Sequence, residues 1–179
     1  GSVVIAGMTA YDPDAARWIV HAAGADIWGR ADGFHFVRQT VTGDVTISAR
    51  VDSLANTNSW AKAGVMVRAA ATAGSRHLMS VVTPANGVAV QYRRGDGEPM
   101  TSSAGTTARP PRWVRVVRAG GTLRGWESAD GAAWTAAGAA QAIGLPATAP
   151  VGLAVTSHTT AARTLAVFTQ VTVAPAAAN

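Results

Sequence analysis

The chain has 179 residues, a length that fits about one domain with a hydrophobic core of its own. It contains no cysteine, which excludes disulfides, a thiolate nucleophile and a cysteine-ligated zinc site. The formal charge is +5, but the arginines are scattered, so we expect a solvated surface and no nucleic-acid partner.

The ends of the chain suggest that it is a piece of a longer protein. Residues 1–2, Gly-Ser, resemble a cloning scar, residues 3–174 are expected to form a single β-sandwich domain, and residues 175–179 a tail or linker stub. No apolar run approaches the roughly 18 residues of a membrane span. We therefore expect no membrane span, and other domains of a longer parent chain as partners.

Short runs of alternating residues predict β-strands along most of the chain, and no convincing amphipathic helix competes with them. In chain order the predicted strands cover residues 34–39, 45–51, 60–67, 77–82, 88–92, 113–117, 123–128, 151–157 and 165–173. Asn86-Gly87 and Asp130-Gly131 are favoured hairpin dipeptides. Many short strands without helical crossovers predict an all-β fold, a two-sheet antiparallel β-sandwich or jelly roll.

The segment 60–68 has the clearest alternation in the chain. One side carries small apolar residues, and the other carries Trp60, Lys62, Met66 and Arg68. The first side is typical of a core, and the second is typical of a hydrogen-bonding face that meets a ligand.

Several strings, taken in order and spacing, resemble one family. They are DIWG at 26–29, ADGFHF at 31–36, GD at 43–44, WAKAGVMVR at 60–68, SADGAAW at 128–134 and VGLAVTSH at 151–158. Together they resemble the concanavalin A-like bacterial domains named "regulation of enolase"-like, which have a lectin- or glucanase-type jelly roll. The resemblance implies an accessory module of an exported protein, secreted or at the cell surface, that binds carbohydrate.

The aspartates raise the question of a metal. No cofactor is predicted, with a structural calcium ion as the alternative, for which Asp26, Asp32 and Asp44 with loop carbonyls are the candidates. Turn formation and backbone capping are the favoured explanation of these residues, because Asp beside Gly is usual in turns. The family's last strand often reads Phe-Asp-x-Val, where related jelly rolls can place a calcium-binding carboxylate, whereas this chain has Thr169 at that position.

Catalysis by paired carboxylates has little support in the sequence. Glycoside hydrolysis usually needs two carboxyl groups, and Glu98 and Glu127 are the glutamates of this chain. The E-x-D-x-x-E arrangement of concanavalin A-like glucanases does not occur. The sequence therefore predicts a protein that is not an enzyme.

Aromatic and polar side chains supply the candidate ligand site. Trp60 and Trp126 are the expected sugar-stacking platforms, whereas Trp28 is expected to anchor a loop, and His158 is a further polar contact. The predicted ligand-binding residues, expected on one concave sheet face, are Trp60, Lys62, Arg68, His77, Gln91, Arg93 and Trp126. The alternative is that these residues simply form the solvent-exposed face of a sheet.

The sequence thus predicts a non-catalytic carbohydrate-binding module that takes a polysaccharide or oligosaccharide on a concave sheet face. Two alternatives stay open. One is a glycan-active hydrolase or lyase with an unrecognised site, and the other is a structural or protein-interaction module.

Overall fold

The computed structural model describes residues 5–176, and their regular structure is all β. The fourteen strands are β1 Met8–Asp12, β2 Arg17–Gly24, β3 His35–Thr42, β4 Val45–Leu54, β5 Lys62–Arg68, β6 His77–Val82, β7 Val88–Arg93, β8 Thr101–Ala104, β9 Arg112–Ala119, β10 Thr122–Ser128, β11 Thr135–Ala136, β12 Gln141–Ala142, β13 Thr148–Thr156 and β14 Thr159–Pro175. Within residues 5–176 there is no helix long and apolar enough to span a membrane.

The strands form two antiparallel sheets. The eight-stranded sheet has the order β1-β2-β14-β4-β9-β10-β11, with β12 also paired to β10. The six-stranded sheet has the order β3-β13-β5-β6-β7-β8. Neighbours such as β13 and β5 are far apart in sequence, which is the mark of a jelly roll rather than a meander. The predicted two-sheet antiparallel sandwich is confirmed.

The main core lies between the two sheets. Ala63, Val65 and Val67 of β5 are fully buried there, against residues of the other sheet such as Ile47 and Val116. The alternation seen in segment 60–68 therefore assigned the core face of β5 correctly.

The opposite face of the six-stranded sheet is also covered over most of its area. Ile27, from the loop after β2, packs with Met66, Met79 and Met100 in a second buried cluster, against which Phe34 packs. As a result β5, β6 and β7 are buried along their whole length. The expectation that this face meets water is wrong here, because the loops that connect the strands fold back over it.

The ends of some elements differ from the sequence expectation. Strand β5 begins at Lys62, so that Trp60 lies in the turn before it, and β1, β2 and β8 were not predicted. Strand β14 runs to Pro175, the first residue of the predicted tail. The predicted cloning scar at 1–2 and residues 177–179 of the tail lie outside the described residues.

Candidate functional site

A buried ionic cluster pins the covering loops to the six-stranded sheet. Asp32, in the loop after β2, accepts hydrogen bonds from Arg93 at 2.7 and 2.8 Å and from Arg68 at 3.2 Å. All three side chains are buried, and His77 lies beside them with its Nδ1 3.7 Å from Asp32. Buried charges of this kind are tolerated only when they are paired and their remaining donors are hydrogen-bonded, which restricts the geometry of the loop.

The two arginines also bind the backbone of several loops. Arg68 donates to the carbonyl oxygens of Ala70 and Thr72, and Arg93 donates to those of Gly29, Ser75 and Glu98. The cluster therefore ties the loops after β2, β5 and β7 into one cover.

This arrangement corrects part of the predicted ligand site. Arg68, His77 and Arg93 do share the predicted sheet face, but each is sealed beneath the cover and fully buried. The arginine guanidinium groups bind Asp32 and loop carbonyls, and the His77 ring lies beneath the cover, so none of the three side chains is accessible to a ligand.

The buried position of His77 leads to a prediction about acid stability. Burial lowers the pKa of His77 from 6.5 to about 4, so the ring is neutral at pH 7, and Nδ1 lies 2.9 Å from the Ser75 carbonyl oxygen. The unfolded chain binds a proton near pH 6.5, whereas the folded chain does so only near pH 4. Stability is therefore lost as the pH falls through this window, by up to ~3 kcal/mol.

Urea titrations at several pH values between 7 and 4 measure this loss. The His77→Gln variant is expected to have a shallower decline in the free energy of unfolding than the wild type. Equal slopes in the two proteins would contradict the assignment.

One cavity on the same face stays open, beside the covering loops. Its volume is about 240 Å³, and its lining residues are Asp26, Trp28, Trp60, Lys62, Gln91, Ser102 and His158. We call it the indole pocket, because Trp28 and Trp60 are 43% and 38% exposed at its edge. Exposed indole rings next to buried polar groups combine an apolar surface with hydrogen-bonding groups, as ligand sites commonly do.

The turns on either side fix the two indoles. The backbone N–H of Trp60 donates to Asn58 Oδ1 at 2.8 Å, and Asn86, from the β6–β7 hairpin, donates to the neighbouring Ser59 carbonyl at 2.8 Å. Next to Trp28, the carbonyl of Gly29 accepts a hydrogen bond of 3.1 Å from Arg93. The backbone that carries the two rings is thus held before any ligand arrives.

Three ionisable side chains, those of Asp26, Lys62 and His158, form one wall of the indole pocket. Asp26 accepts a hydrogen bond from the ammonium of Lys62, the only lysine of the chain, and its second oxygen lies 3.2 Å from His158 Nε2. Lys62 also donates to the Ile27 carbonyl at 3.3 Å, and its Nζ lies 5.9 Å from the Trp28 ring centroid. Burial lowers the pKa of Lys62, and the nearby Asp26 opposes that change.

The turn that carries His158 has an unusual backbone. His158 joins β13 to β14 with a φ of 58°, in the left-handed region that costs a non-glycine residue free energy. The strained turn brings the imidazole to Asp26. Such conformations are concentrated at functional sites.

The floor of the indole pocket carries an acceptor without a partner. Gln91 donates from Nε2 to Ser102 Oγ at 3.3 Å, while its Oε1 is buried and has no hydrogen-bond partner among the described residues. A ligand hydroxyl would satisfy that oxygen.

Trp126 does not belong to this site. It lies on β10 of the eight-stranded sheet, on the other side of the sandwich. The prediction that Trp126 shares a concave face with Trp60 is therefore wrong, because the order in which strands pair is not visible in the spacing of a single strand.

The three aspartates considered for calcium each have a different partner in the structure. Asp26 binds Lys62, Asp32 lies in the buried arginine cluster, and Asp44 accepts a 3.0 Å hydrogen bond from the backbone of Gly120. No group of three histidine, cysteine or acidic side chains in residues 5–176 is arranged to hold a metal ion. The proposed grouping of these aspartates is not found.

A different cavity, of about 300 Å³, opens between the two sheets beside β3. Its lining is mostly apolar, with Ile47, Val151 and Val173, and Arg38 is its one ionisable residue. It lacks the paired donors and acceptors of the indole pocket, which is therefore the better candidate site.

Sequence reasoning found part of the indole pocket. Trp60, Lys62 and Gln91 were predicted to bind a ligand and do line it, and His158 was named as a further polar contact. Trp28 was assigned to loop anchoring, although its ring lies exposed at the pocket.

Comparison with known proteins gives the fold. No family model matches the chain, and no curated protein matches it in sequence. A functionally unknown protein from Saccharomyces cerevisiae is 16% identical, with a TM-score of 0.74, and the match covers 99% of this chain and 100% of that one.

Carbohydrate-related proteins are among the other similar structures. A GH43 protein from Bacillus licheniformis is 15% identical with a TM-score of 0.68, over 89% of this chain but 33% of that protein. The carbohydrate-binding module CBM66 from Bacillus subtilis is 13% identical with a TM-score of 0.57, over 96% and 93% of the two chains.

These likenesses define the class of fold. The chain shares a two-sheet antiparallel β-sandwich with these proteins, and at such low identity the comparisons carry the fold alone. The chain spans about a third of the GH43 protein, so the activity of that whole protein is not assigned to this chain.

Proposed function

We propose that the protein is a non-catalytic carbohydrate-binding module, and that the indole pocket is its sugar site. The observation that carries the proposal is the placement of two exposed indoles, Trp28 and Trp60, around a polar floor and the Asp26–Lys62 ion pair. An indole face stacks on the C–H face of a sugar, while carboxylate, ammonium and amide groups bind its hydroxyls.

The size of the pocket supports recognition of one sugar unit. A volume of about 240 Å³ lies below the usual range for drug-sized ligands, and the buried arginine cluster closes the rest of the sheet face. Within residues 5–176, strands β5, β6 and β7 are buried along this face, which leaves little room for an extended polysaccharide. The module is therefore proposed to hold the end of a glycan chain or a single branch.

The role and the location of the module are also part of the proposal. We also propose, on the sequence resemblance alone, an accessory role in an exported bacterial protein, at the cell surface or secreted. The similar CBM66 fold supports a link with carbohydrate but not with a particular sugar.

The distribution of carboxylates favours binding over hydrolysis. Asp26 is the one acidic residue that lines the indole pocket, and it is engaged by Lys62 and His158. Glu127 is buried elsewhere, where it accepts hydrogen bonds from Thr106 and Arg112. Paired-carboxylate hydrolysis would need a second acid near Asp26.

Calorimetric titration with oligosaccharides from xylan, β-1,3-glucan and alginate tests the proposal. At least one series is expected to bind, and Trp60→Ala is expected to weaken that binding by about tenfold or more, which corresponds to ~1.4 kcal/mol, because the stacking surface is lost. Tyr11→Ala is the matched control, since Tyr11 is an exposed aromatic residue on the eight-stranded sheet.

Two results would overturn the proposal. One is an affinity that Trp60→Ala leaves unchanged. The other is cleavage of an oligosaccharide by the wild-type protein, detected as new products by chromatography, because cleavage would identify the protein as a glycan-active enzyme.

A further inference from the structure

Two arginines lie over tryptophan rings on the outer face of the eight-stranded sheet. The guanidinium carbon of Arg115, on β9, lies 3.5 Å from the ring centroid of Trp134. The guanidinium carbon of Arg124, on β10, lies 4.8 Å from the ring centroid of Trp126. Arg115 and Trp126 are directly paired across the two strands. The rings hold both guanidinium groups side by side, at little further cost in side-chain entropy on binding.

These side chains line a groove on the outer face, which we call the arginine groove. Its volume is about 640 Å³, and its remaining lining residues are Thr46, Val117, Ala119, Thr122 and Ala140. The lining contains no acidic side chain.

Neither guanidinium is neutralised within residues 5–176. No ion pair in that range involves Arg115 or Arg124, and Arg124 makes one hydrogen bond, of 3.3 Å from Nε to the Gly138 carbonyl. Arg115 Nε and Trp126 Nε1 are buried without a hydrogen-bond partner. Buried donors without acceptors carry a free-energy cost, so the fold leaves positive and hydrogen-bonding groups uncompensated at this place.

We propose that the arginine groove is a second binding site, which takes the carboxylates of a uronate-containing polysaccharide. A guanidinium group matches a planar carboxylate with two parallel hydrogen bonds, and stacking on a ring leaves the edges of the group free to make them. The choice of a polysaccharide over another polyanion rests on the proposed function.

The stacking also argues against single-stranded nucleic acid. Bases bind such proteins by stacking on free aromatic faces, whereas one face of Trp134 and one of Trp126 are already occupied by guanidinium groups. A carboxylate needs only the open guanidinium edges.

Titration with oligogalacturonate, followed by calorimetry at low and moderate salt, tests the proposal. The wild type is expected to bind, and the Arg115→Gln/Arg124→Gln double variant is expected to bind at least about tenfold more weakly, because two charge-assisted contacts are lost. The Arg109→Gln/Arg163→Gln double variant has the same net charge as the Arg115→Gln/Arg124→Gln variant, but the two arginines that it loses lie outside the groove. It is expected to keep most of the affinity.

Four outcomes would contradict the proposal: no binding by the wild type, an equal loss in both double variants, tighter binding of poly-glutamate, or tighter binding of single-stranded DNA.

The Trp60→Ala variant separates this proposal from the proposed function. If Trp60→Ala removes oligogalacturonate binding and the Arg115→Gln/Arg124→Gln variant does not, the acidic sugar occupies the indole pocket and the groove is not a site. If neutral sugars fail to bind but the groove binds oligogalacturonate, only the proposed function of the indole pocket fails.

Discussion

Replacing Asp32 with asparagine is expected to lower the free energy of unfolding by about 3–5 kcal/mol. The change leaves two buried guanidinium groups, those of Arg68 and Arg93, without a negative charge, although the shape of the side chain is kept. Total stability is typically about 5–15 kcal/mol, so this is a large fraction of it. Urea unfolding followed by tryptophan fluorescence measures the loss.

An exposed ion pair supplies the matched control. Asp96 lies 2.7 Å from Arg76, and its side chain is 61% exposed. Asp96→Asn is expected to cost less than about 1 kcal/mol, because water solvates and screens such a pair. A cost for Asp32→Asn no larger than that of Asp96→Asn would contradict the view that the buried cluster fixes the loops.

Replacing Asp26 with alanine is expected to weaken sugar binding by roughly ten- to a hundredfold, the worth of a hydrogen bond to a charged group. The variant removes a carboxylate acceptor from the indole pocket and frees Lys62 and His158 from their partner. Calorimetric titration with the oligosaccharide that the wild type binds measures the loss.

Two further variants make the result specific to the pocket. Asp52→Ala also removes an ion pair, with Arg50 on β4 of the eight-stranded sheet, and should leave the affinity unchanged. Asp26→Asn keeps the shape but not the charge, and should give an intermediate loss. Wild-type affinity in Asp26→Ala, with a folded near-ultraviolet spectrum, would exclude Asp26 from the site.

The fold could be predicted from local patterns because, in most strands, the spacing of the apolar residues shows which side chains are buried. Segment 60–68 assigned Ala63 and Val65 to the core and Lys62 to the opposite face, and Asn86-Gly87 placed a hairpin between β6 and β7. Strand β1 was missed because its residues are almost all exposed, so no alternation distinguishes them.

The candidate site could be predicted only in part, because spacing within a strand says which face a residue lies on but not what covers that face. Arg68 and Arg93 lie on the predicted face, yet the loop carrying Asp32, more than thirty residues away from Arg68, buries both. Trp126 was misplaced for a different reason, since the assignment of β10 to the other sheet depends on long-range pairing.

Trp28 was missed for a third reason. Its exposure depends on the conformation of a loop whose neighbour Gly29 has a positive φ of 59°. No periodic pattern reports the direction of a side chain in such a loop.

The indole N–H resonances of the protein, recorded by NMR during titration with the tightest-binding oligosaccharide, test the central claim most directly. The signals of Trp28 and Trp60 are expected to shift with the sugar concentration, whereas those of Trp18 and Trp113, which do not line the indole pocket, should stay in place. Shifts confined to tryptophans outside the pocket, with Trp28 and Trp60 unmoved, would contradict the account.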